Sequence, residues 1–254
     1  MMRFIKPHWQ ASPMVHALAT TRIGGCSQSP YGSLNLGDHV GDKLENVAEN
    51  RRLLRMHIPS DPLWMKQVHG VAVSTPSSRS QGIDQPIVAD AIVTKTPNEV
   101  LAILTADCLP VLFAAKDGSV VGAAHAGWRG LSAGIIEQTI KEMLLLSNHL
   151  VASDLLVWLG PAIGPDAFEV GQDVYKVFAE SGIPVGAKDF VAIDGKQGKY
   201  KANLYSLAIT RLRSMGISQI SGGDLCTYHD KQDFFSYRRD GVSGRSASLI
   251  WISK

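Results

Sequence analysis

The chain has 254 residues, of which 45% are hydrophobic and 19% are charged. These values are typical of a globular protein, and the length fits one large domain or two small ones. The formal net charge of +2 and the scattered lysines and arginines exclude a broad basic face for nucleic acid. The three cysteines are too few and odd in number for a disulfide framework, which favours a reducing compartment.

The N-terminal segment contains polar residues and prolines where a signal peptide would have a continuous apolar stretch. No run of the chain approaches the roughly 20 apolar residues of a membrane-spanning helix. We therefore expect a cytoplasmic protein that does not interact with membranes.

The first third of the chain predicts a strand, a long loop and a helix. The strand covers 15–20, and a loop rich in glycine and serine follows it. The helix is predicted to start near Asp42, which has capping-box spacing to Glu45. Residues 64–69 are predicted to form another strand, and 75–87 a surface loop.

Short apolar runs in the central and C-terminal parts predict a sheet. The triplet Lys116-Asp117-Gly118 between two of these runs predicts a hairpin turn. Helices are predicted over 131–146, 171–181 and 203–215, the last with Asn203 as its N-cap. The strands predicted here are Ala91–Thr94, Val100–Thr105, Leu109–Ala115, Ser119–His125, Leu155–Leu159, Ser218–Ile220 and Ala247–Ile252.

Predicted strands and helices alternate along the chain without a strict strand–helix–strand rhythm. The sequence contains no internal repeat, low-complexity tract or obvious linker. This pattern predicts one domain over residues 1–254, of the α/β class or, in stricter terms, α+β. A mixed sheet with helices on its outside is the expected architecture.

Two of the apolar runs lead to side chains that can bind a metal. Cys108 follows Asp107 after one run, and His125 ends the run that follows the predicted hairpin. Neighbouring antiparallel strands would bring this thiol and this imidazole to one end of a sheet. Taken singly, each residue is more often part of a core than of a functional site.

His69 can add a second imidazole at the end of the predicted strand 64–69. One thiolate and two imidazoles suit Zn²⁺ or a copper ion better than Mg²⁺ or Ca²⁺. Three protein ligands leave a fourth position open, as in catalytic zinc sites. The chain has no CxxC or HExxH motif, so Cys108 as a nucleophile with His125 as its base stays open.

A series of distinctive segments follows in order along the chain: TRIGGCS…SLNLG, WMKQVHG, ADAIVT, TADCLPVLF, AAHAGWRGL, LGPAIGPDAFEVG and FFSYRRDG…GR. Together these segments resemble the YfiH family, also called the laccase-domain or multicopper polyphenol oxidase family. The resemblance implies a layered α/β sandwich with mixed sheets and outer helices, similar to cytotoxic necrotizing factor. It also implies that a metal, usually zinc, is bound by His69, Cys108 and His125.

The activity that the resemblance implies is purine nucleoside phosphorolysis. Adenosine, inosine or methylthioadenosine would react with phosphate to give a free base and a ribose 1-phosphate, with adenosine deaminase activity beside it. Copper-dependent phenol oxidation is one alternative, although the eight histidines include no His-X-His pair. A cysteine hydrolase using Cys108 and His125, acting on cell-wall precursors, is another. The expected assembly is a monomer or a weak dimer.

Arg22, Asn35 and Arg129 are the candidates for substrate binding. Residues 127–130 precede a predicted helix, so their backbone N–H groups and Arg129 would form an anion site for phosphate. The alternatives are a salt bridge for Arg129 and loop-stabilising contacts for Arg22 and Asn35. Asp107 is predicted either to orient a ligating histidine or to cap a turn.

The other reactive residues are not assigned to the predicted metal site. Cys26 and Cys226 are predicted to be structural. The pair Arg238-Arg239 can bind phosphate or form an ion-pair cluster with Asp240, and both readings stay open. His229 departs from the family pattern and is given no role.

Overall fold

A computed structural model describes residues 2–80 and 86–254. Its strands are β1 (Phe4–Ile5), β2 (Val15–Thr20), β3 (Met65–Lys66), β4 (Val73–Ser74), β5 (Ile87–Val88), β6 (Ala91–Thr94), β7 (Leu101–Thr105), β8 (Leu109–Ala115), β9 (Val121–Ala126), β10 (Leu155–Leu159), β11 (Glu169–Gly171), β12 (Phe190–Ala192), β13 (Lys199–Ala202), β14 (Gln219–Gly222) and β15 (Ser246–Ile252). Its helices are α1 (Leu44–Arg55), α2 (Pro76–Ser80), α3 (Trp128–Ala133), α4 (Ile135–Leu146), α5 (Gln172–Ala179), α6 (Leu204–Ser214) and α7 (Tyr237–Asp240), and a 3₁₀ turn covers Ala152–Asp154.

The two larger sheets are both built around the predicted apolar strands. A four-stranded sheet has the order β1-β2-β15-β7, and a six-stranded sheet has the order β14-β10-β8-β9-β6-β4. The six-stranded sheet is mixed, because β10 runs parallel to β14 and antiparallel to β8. Smaller sheets join β11-β13-β12 and β3-β5.

The two large sheets pack face to face. Ile103 and Ile250 of the four-stranded sheet share one buried cluster with Leu112 and Ala123 of the six-stranded sheet. Alternation along β8 explains this packing: Leu112 faces the other sheet, whereas Phe113 faces the opposite side. Both faces of β8 are therefore buried, which accounts for its continuous apolar sequence.

Helices cover the outer faces of both sheets. Ile136 and Ile140 of α4 pack with Phe113 of the six-stranded sheet. On the far side, Leu54 of α1 packs with Leu249 of the four-stranded sheet. The layers thus follow the order helix, sheet, sheet, helix, which confirms the predicted α/β sandwich with mixed sheets and outer helices.

Several element boundaries differ from the predictions. The helix predicted over 131–146 is two helices, because Gly134 has a φ of 97° that ends α3 before α4 begins. Helix α1 begins at Leu44 without a side-chain cap, so the capping box predicted for Asp42 is wrong. The N-cap predicted for Asn203 is confirmed, since its side chain accepts hydrogen bonds from Tyr205 and Ser206.

The region upstream of β6 is less regular than predicted. Only Met65–Lys66 is a strand in the predicted run 64–69. Part of the surface loop predicted over 75–87 is the short helix α2, and residues 81–85 lie outside the described residues. Within the described part of the chain, no helix is long and apolar enough to cross a membrane.

Candidate metal centre

Cys108 lies in the turn that carries the chain from one large sheet to the other. Strand β7 of the four-stranded sheet ends at Thr105, and β8 of the six-stranded sheet begins at Leu109. Asp107 adopts a φ of 93° in this turn, a conformation uncommon for a residue with a side chain. The thiol therefore sits at the edge of a buried sheet and remains partly exposed.

His125 is held beside Cys108 by the predicted hairpin. Strands β8 and β9 are antiparallel, and Pro110 pairs with His125. This register brings the histidine level with the start of β8, two residues from Cys108. The expectation that the hairpin brings the two side chains to one end of a sheet is thus confirmed.

A buried carboxylate, that of Asp90, positions both histidines. One of its oxygens accepts a hydrogen bond from Nδ1 of His125 at 2.9 Å, and the backbone N–H of His125 donates to the Asp90 carbonyl at 2.7 Å. The same carboxylate accepts from the backbone N–H groups of Val68, His69 and Gly70 at 3.1, 2.8 and 2.7 Å. The side chain is completely buried, so these donors satisfy a charge that would otherwise be costly.

The loop carrying His69 owes its shape to these hydrogen bonds. His69 has a φ of 62°, and three successive amides point at one carboxylate. This arrangement directs the His69 ring toward Cys108, with Nε2 at 3.8 Å from Sγ. Because Nδ1 of His125 bonds to Asp90, its Nε2 is the ring nitrogen left for a ligand.

His69, Cys108 and His125 come together as one group. The candidate ligand atoms of the three residues all lie within 4.8 Å of one another. Tetrahedral coordination of Zn²⁺ at ordinary bond lengths separates neighbouring ligand atoms by about 3.3 to 3.6 Å. The distance of 3.8 Å between Sγ of Cys108 and Nε2 of His69 is close to that range. The donor set and its spacing therefore fit a transition-metal ion.

The electrostatics of the group favour a thiolate. Burial opposes ionisation of Cys108, but the charge of His125 and hydrogen bonds from both histidines outweigh it and lower the pKa of the thiol. Burial likewise opposes protonation of His125, but the Cys108 charge and the hydrogen bond to Asp90 raise the pKa of the imidazole. The pair is thus suited to a negative sulfur, which is the form that binds a metal or acts as a nucleophile.

Close packing against the group comes from Gly127. A Cβ atom at this position would lie 3.0 Å from the Cys108 sulfur and 3.0 Å from Cδ2 of His69. A side chain here would therefore displace two of the three candidate ligands. This explains why helix α3, which begins at Trp128, is preceded by glycine.

Asp107 was predicted either to orient a ligating histidine or to cap a turn, and it bonds to no histidine among the described residues. One of its oxygens accepts a hydrogen bond from the Thr227 hydroxyl and the other from the backbone N–H of Arg238, both at 2.7 Å. Arg238 lies in the first turn of α7, so Asp107 caps that turn from a distant part of the chain. The carboxylate ties the C-terminal loop to the edge of the sheet that carries Cys108.

Two of the predicted substrate-binding residues make extensive contacts within loops. Asn35 is fully buried, and its amide bonds to Gly37, Asp42 and the backbone N–H of Arg245. Arg22 donates to the carbonyls of Gly32 and Lys231 and stacks on Phe235. These are the loop-stabilising contacts named above as their alternative, and they leave the Asn35 amide no free hydrogen-bonding position for a substrate.

Arg129 is placed differently. Its side chain is exposed, and its guanidinium stacks on the neighbouring Trp128 ring at 4.3 Å. Within residues 2–80 and 86–254 it makes no ion pair or side-chain hydrogen bond. The salt bridge considered as its alternative is therefore not present among these residues.

The remaining reactive residues are engaged away from the three candidate ligands. Cys26 contacts Asn50, and the sulfur of Cys226 accepts a hydrogen bond from the backbone of Gly164. Arg239 binds Asp240 through two hydrogen bonds of 2.8 Å, as one of its two predicted roles required. Its other donors bind the carbonyls of Thr227, Tyr228 and Phe234.

Asp90 is the residue that inspection of the sequence missed. The signal was present, because Asp90 directly precedes the wholly apolar strand Ala91–Thr94. A carboxylate at the entrance of a buried strand needs several donors close by. Those donors come from residues 68–70, about 20 positions upstream, and nothing in their spacing points to Asp90.

Comparison with known proteins places the chain in a family. The model of the family described as "Multi-copper polyphenol oxidoreductase laccase" matches residues 16–253. The chain therefore belongs to this laccase-like, or YfiH, family.

Curated relatives match over their full length. The Escherichia coli K12 protein named "Purine nucleoside phosphorylase YfiH" is 46% identical, and the match covers 99% of this chain and 100% of that protein. A Haemophilus influenzae protein named "Purine nucleoside phosphorylase" is 44% identical over 99% of this chain and all of its own length. A crystal structure of a Neisseria meningitidis protein superimposes with a TM-score of 0.90 at 42% identity, covering 99% of both chains.

Proposed function

We propose that this chain is a metal-dependent purine nucleoside phosphorylase that also deaminates adenosine. The observation that carries the proposal is the convergence of His69, Cys108 and His125 at the edge of the six-stranded sheet. The names of the full-length relatives support the reaction class. Adenosine, inosine and methylthioadenosine are the proposed nucleosides, and phosphate is the co-substrate.

We assign the metal to these three side chains and favour zinc over copper. A thiolate with two imidazoles suits both ions, and three protein ligands are typical of catalytic zinc sites. When bound, such an ion would act as a Lewis acid and lower the pKa of a bound water. Asp90 supports the site by fixing the tautomer and orientation of His125 and the position of His69.

Phosphorolysis requires two substrates to be held in line. A phosphate oxygen forms a bond to C1′ of the ribose while the bond from C1′ to the base nitrogen breaks. The electron pair leaves with the base, which takes up a proton. In deamination, water adds at C6 of adenosine and ammonia leaves, giving inosine.

The chain's own groups serve these reactions by position and charge. Gly127 lets Cys108 and His69 pack directly against the backbone, because a Cβ atom here would lie 3.0 Å from atoms of both residues. Arg129 follows two residues later with an exposed guanidinium, so it is a candidate for phosphate. Asp90 holds the hydrogen on Nδ1 of His125, which leaves Nε2 facing the candidate ligand group.

A second candidate function is a cysteine hydrolase. The favouring observation is the sequence of contacts from Asp90 to His125 to Cys108: Nδ1 of His125 bonds to Asp90 at 2.9 Å, and, against the effect of burial, the charge of His125 lowers the pKa of the Cys108 thiol. Nucleophile, base and orienting carboxylate have this order in catalytic triads. Cell-wall precursors are the substrates considered for this activity.

Copper-dependent oxidation of phenols receives less support despite the name of the family model. Among the described residues, His69, Cys108 and His125 form one group of three potential ligands. An oxidase that uses several copper ions needs further ligand groups. We therefore treat phenol oxidation as a side reaction of a copper-loaded form.

One experiment separates the three functions. The purified protein is analysed for bound metal and then assayed with inosine and adenosine, with and without phosphate, before and after chelation. Phosphate-dependent release of base that is lost on chelation and restored by zinc supports the proposal. Activity that survives chelation but is lost on thiol alkylation would favour the hydrolase, and activity that appears only with added copper would favour the oxidase.

A further inference from the structure

The guanidinium of Arg245 donates hydrogen bonds to the described residues only through Nη1. Its Nη1 donates to the carbonyls of Ser243 and Gly244 at 2.9 and 3.1 Å and to the Ser243 hydroxyl at 3.3 Å. Within residues 2–80 and 86–254, Nε and Nη2 have no acceptor, and no carboxylate forms an ion pair with this arginine. Two donors of a partly buried cation are therefore available to a ligand.

The strand register brings Arg245 to the candidate metal centre. Strand β15 runs antiparallel to β7, with Ser246 paired to Thr105. Continuing this pairing by one residue sets Arg245 opposite Ala106, and Cys108 follows two positions later. Neighbouring strands lie about 4.8 Å apart, so an arginine side chain easily spans the distance to the site.

The electrostatic environment of Arg245 is consistent with a position near the candidate metal centre. Burial lowers the pKa of Arg245 below its ordinary value, and the charges of Cys108 and Asp107 oppose that effect. Both oxygens of the Asp107 carboxylate are already occupied, by Thr227 and by the backbone of Arg238. Among the described residues, the positive charge of Arg245 thus lies near Cys108 and Asp107 and forms no ion pair.

The side chain is also held in place before any ligand arrives. Its backbone N–H donates to the buried Asn35 amide at 2.9 Å. Its aliphatic stem packs on Gly37, where a Cβ atom would lie 2.8 Å from Cγ of Arg245. The Tyr237 ring lies 5.8 Å from the guanidinium carbon. A fixed arginine loses little conformational entropy when it binds an anion.

Neighbouring arginines do not combine these properties. Arg239 is saturated by Asp240 and three carbonyls, and Arg22 is bound to two loop carbonyls. Arg238 donates to the Glu169 carbonyl and stacks on Phe168. Arg129 forms no ion pair with the described residues, but it is exposed to solvent, where an ion pair contributes little.

We propose that Arg245 binds the phosphate co-substrate through Nε and Nη2, next to the edge formed by Cys108. These two nitrogens form one side of the planar guanidinium and match two oxygens of a phosphate. The proposal rests on the phosphorolysis proposed above. It assigns the main phosphate contact to the start of β15 rather than to the turn at 127–130.

The test compares Arg245→Gln and Arg245→Lys with two other arginine variants. Arg129→Gln examines the competing assignment. Arg213→Gln is the matched control, because the Arg213 side chain is exposed and forms no hydrogen bond or ion pair within the described residues. For each metal-loaded protein, the KM for phosphate is measured at saturating inosine and the KM for inosine at saturating phosphate. Bound metal and the thermal midpoint are measured alongside.

Arg245→Gln should raise the KM for phosphate by about 10- to 100-fold, because charge-assisted hydrogen bonds are lost. Arg245→Lys keeps the charge without the paired donors, so it should give a smaller rise with the fold intact. The KM for inosine and the metal content should change little, and Arg213→Gln should match the wild type. An unchanged KM for phosphate in both Arg245 variants would overturn the assignment. So would a rise in the KM for phosphate that occurs only in Arg129→Gln.

Direct titration with inorganic phosphate separates this proposal from the function on which it rests. If the wild type binds phosphate and Arg245→Gln does not, Arg245 is an anion site even when no phosphorolysis is detected. If the wild type shows phosphorolysis and Arg245→Gln binds phosphate equally well, the function stands and the assignment fails. If the wild type neither binds phosphate nor cleaves inosine, both proposals are wrong.

Discussion

Two regions with polar, glycine-rich motifs use their side chains in opposite ways. In the N-terminal loop, defined as residues 21–37, the Asn35 amide is surrounded by protein partners, and Asn50 of α1 donates to Ser27, Ser33 and the Asn35 carbonyl. The hairpin edge is defined as the start of β8, the end of β9 and the loop at 68–70. Here a buried carboxylate orients His125 through Nδ1 and leaves its Nε2 for a ligand. His69 and Cys108 contact each other at 3.8 Å.

This contrast shows how to separate a structural motif from a chemical one. Both regions match the family, and both contain residue types that bind substrates in other proteins. A polar group whose hydrogen-bonding positions are filled by the protein stabilises a loop. One that is positioned by a buried partner, as His125 is by Asp90, while its other face stays open can bind a ligand.

Replacement of Cys108 should give the largest effect. Cys108→Ala removes the single proposed sulfur ligand, so bound metal should be lost and phosphorolysis should fall by more than about 1000-fold. Metal content by elemental analysis and base release from inosine are the measurements. Cys226→Ala is the control, because that thiol contacts the backbone of Gly164 instead. Equal loss of metal in both variants would break the contrast.

Removing the charge of Asp90 should weaken the site without removing a ligand. Asp90→Asn replaces an oxygen that accepts hydrogen bonds by an N–H₂ group that faces other donors, so metal affinity should fall by about 10- to 100-fold. Competition with a chelator of known affinity gives the value. Asp107→Asn is the matched change, since Asp107 contacts Thr227 and Arg238 but no histidine. We expect it to lower the thermal midpoint more than the metal affinity.

A methyl group at Gly127 should disturb two ligands at once. In Gly127→Ala the new Cβ would lie 3.0 Å from atoms of both Cys108 and His69, so metal-dependent activity should fall by about 10-fold. The control is Gly186→Ala, where the nearest atom is a side-chain oxygen of Asp189 at 3.5 Å. Full activity of Gly127→Ala would contradict the prediction, because it would mean that Cys108 and His69 can move to admit a methyl group without loss of function.

Asn35→Ala should affect stability rather than substrate binding. The variant leaves the backbone N–H groups of Gly37 and Arg245 without the acceptor that Asn35 provides, so the free energy of unfolding should fall by about 1–3 kcal/mol. Denaturant unfolding measures this loss, and the KM for inosine is measured in parallel. A raised KM at unchanged stability would instead return Asn35 to the substrate site.

Local features of the fold were predictable where the signal is short-ranged. The apolar runs and the Lys116-Asp117-Gly118 turn predicted the hairpin of β8 and β9, and Asn203 was recognised as an N-cap. The break at Gly134 was missed, because apolar residues continue in helical spacing across it. The strand predicted over 64–69 ends at Lys66, because the backbone N–H groups of residues 68–70 bond to Asp90 instead of a neighbouring strand.

The sequence indicated the three potential metal ligands that the fold brings together, but not the residues that surround them. His69, Cys108 and His125 are rare residue types at the ends of apolar runs and belong to recognisable family motifs. Asp90 and Arg245 act through contacts that join distant parts of the chain. Local patterns do not report such contacts, because they depend on how the two large sheets align at one edge.

The most direct test of the metal centre is X-ray absorption spectroscopy of the zinc-loaded protein, repeated on Cys108→Ser. The account predicts one sulfur neighbour at about 2.3 Å and nitrogen or oxygen neighbours at about 2.0–2.1 Å in the wild type. The sulfur signal should vanish in Cys108→Ser. A wild-type spectrum without sulfur, or one that the substitution leaves unchanged, would contradict the assignment of Cys108, His69 and His125 as the metal ligands.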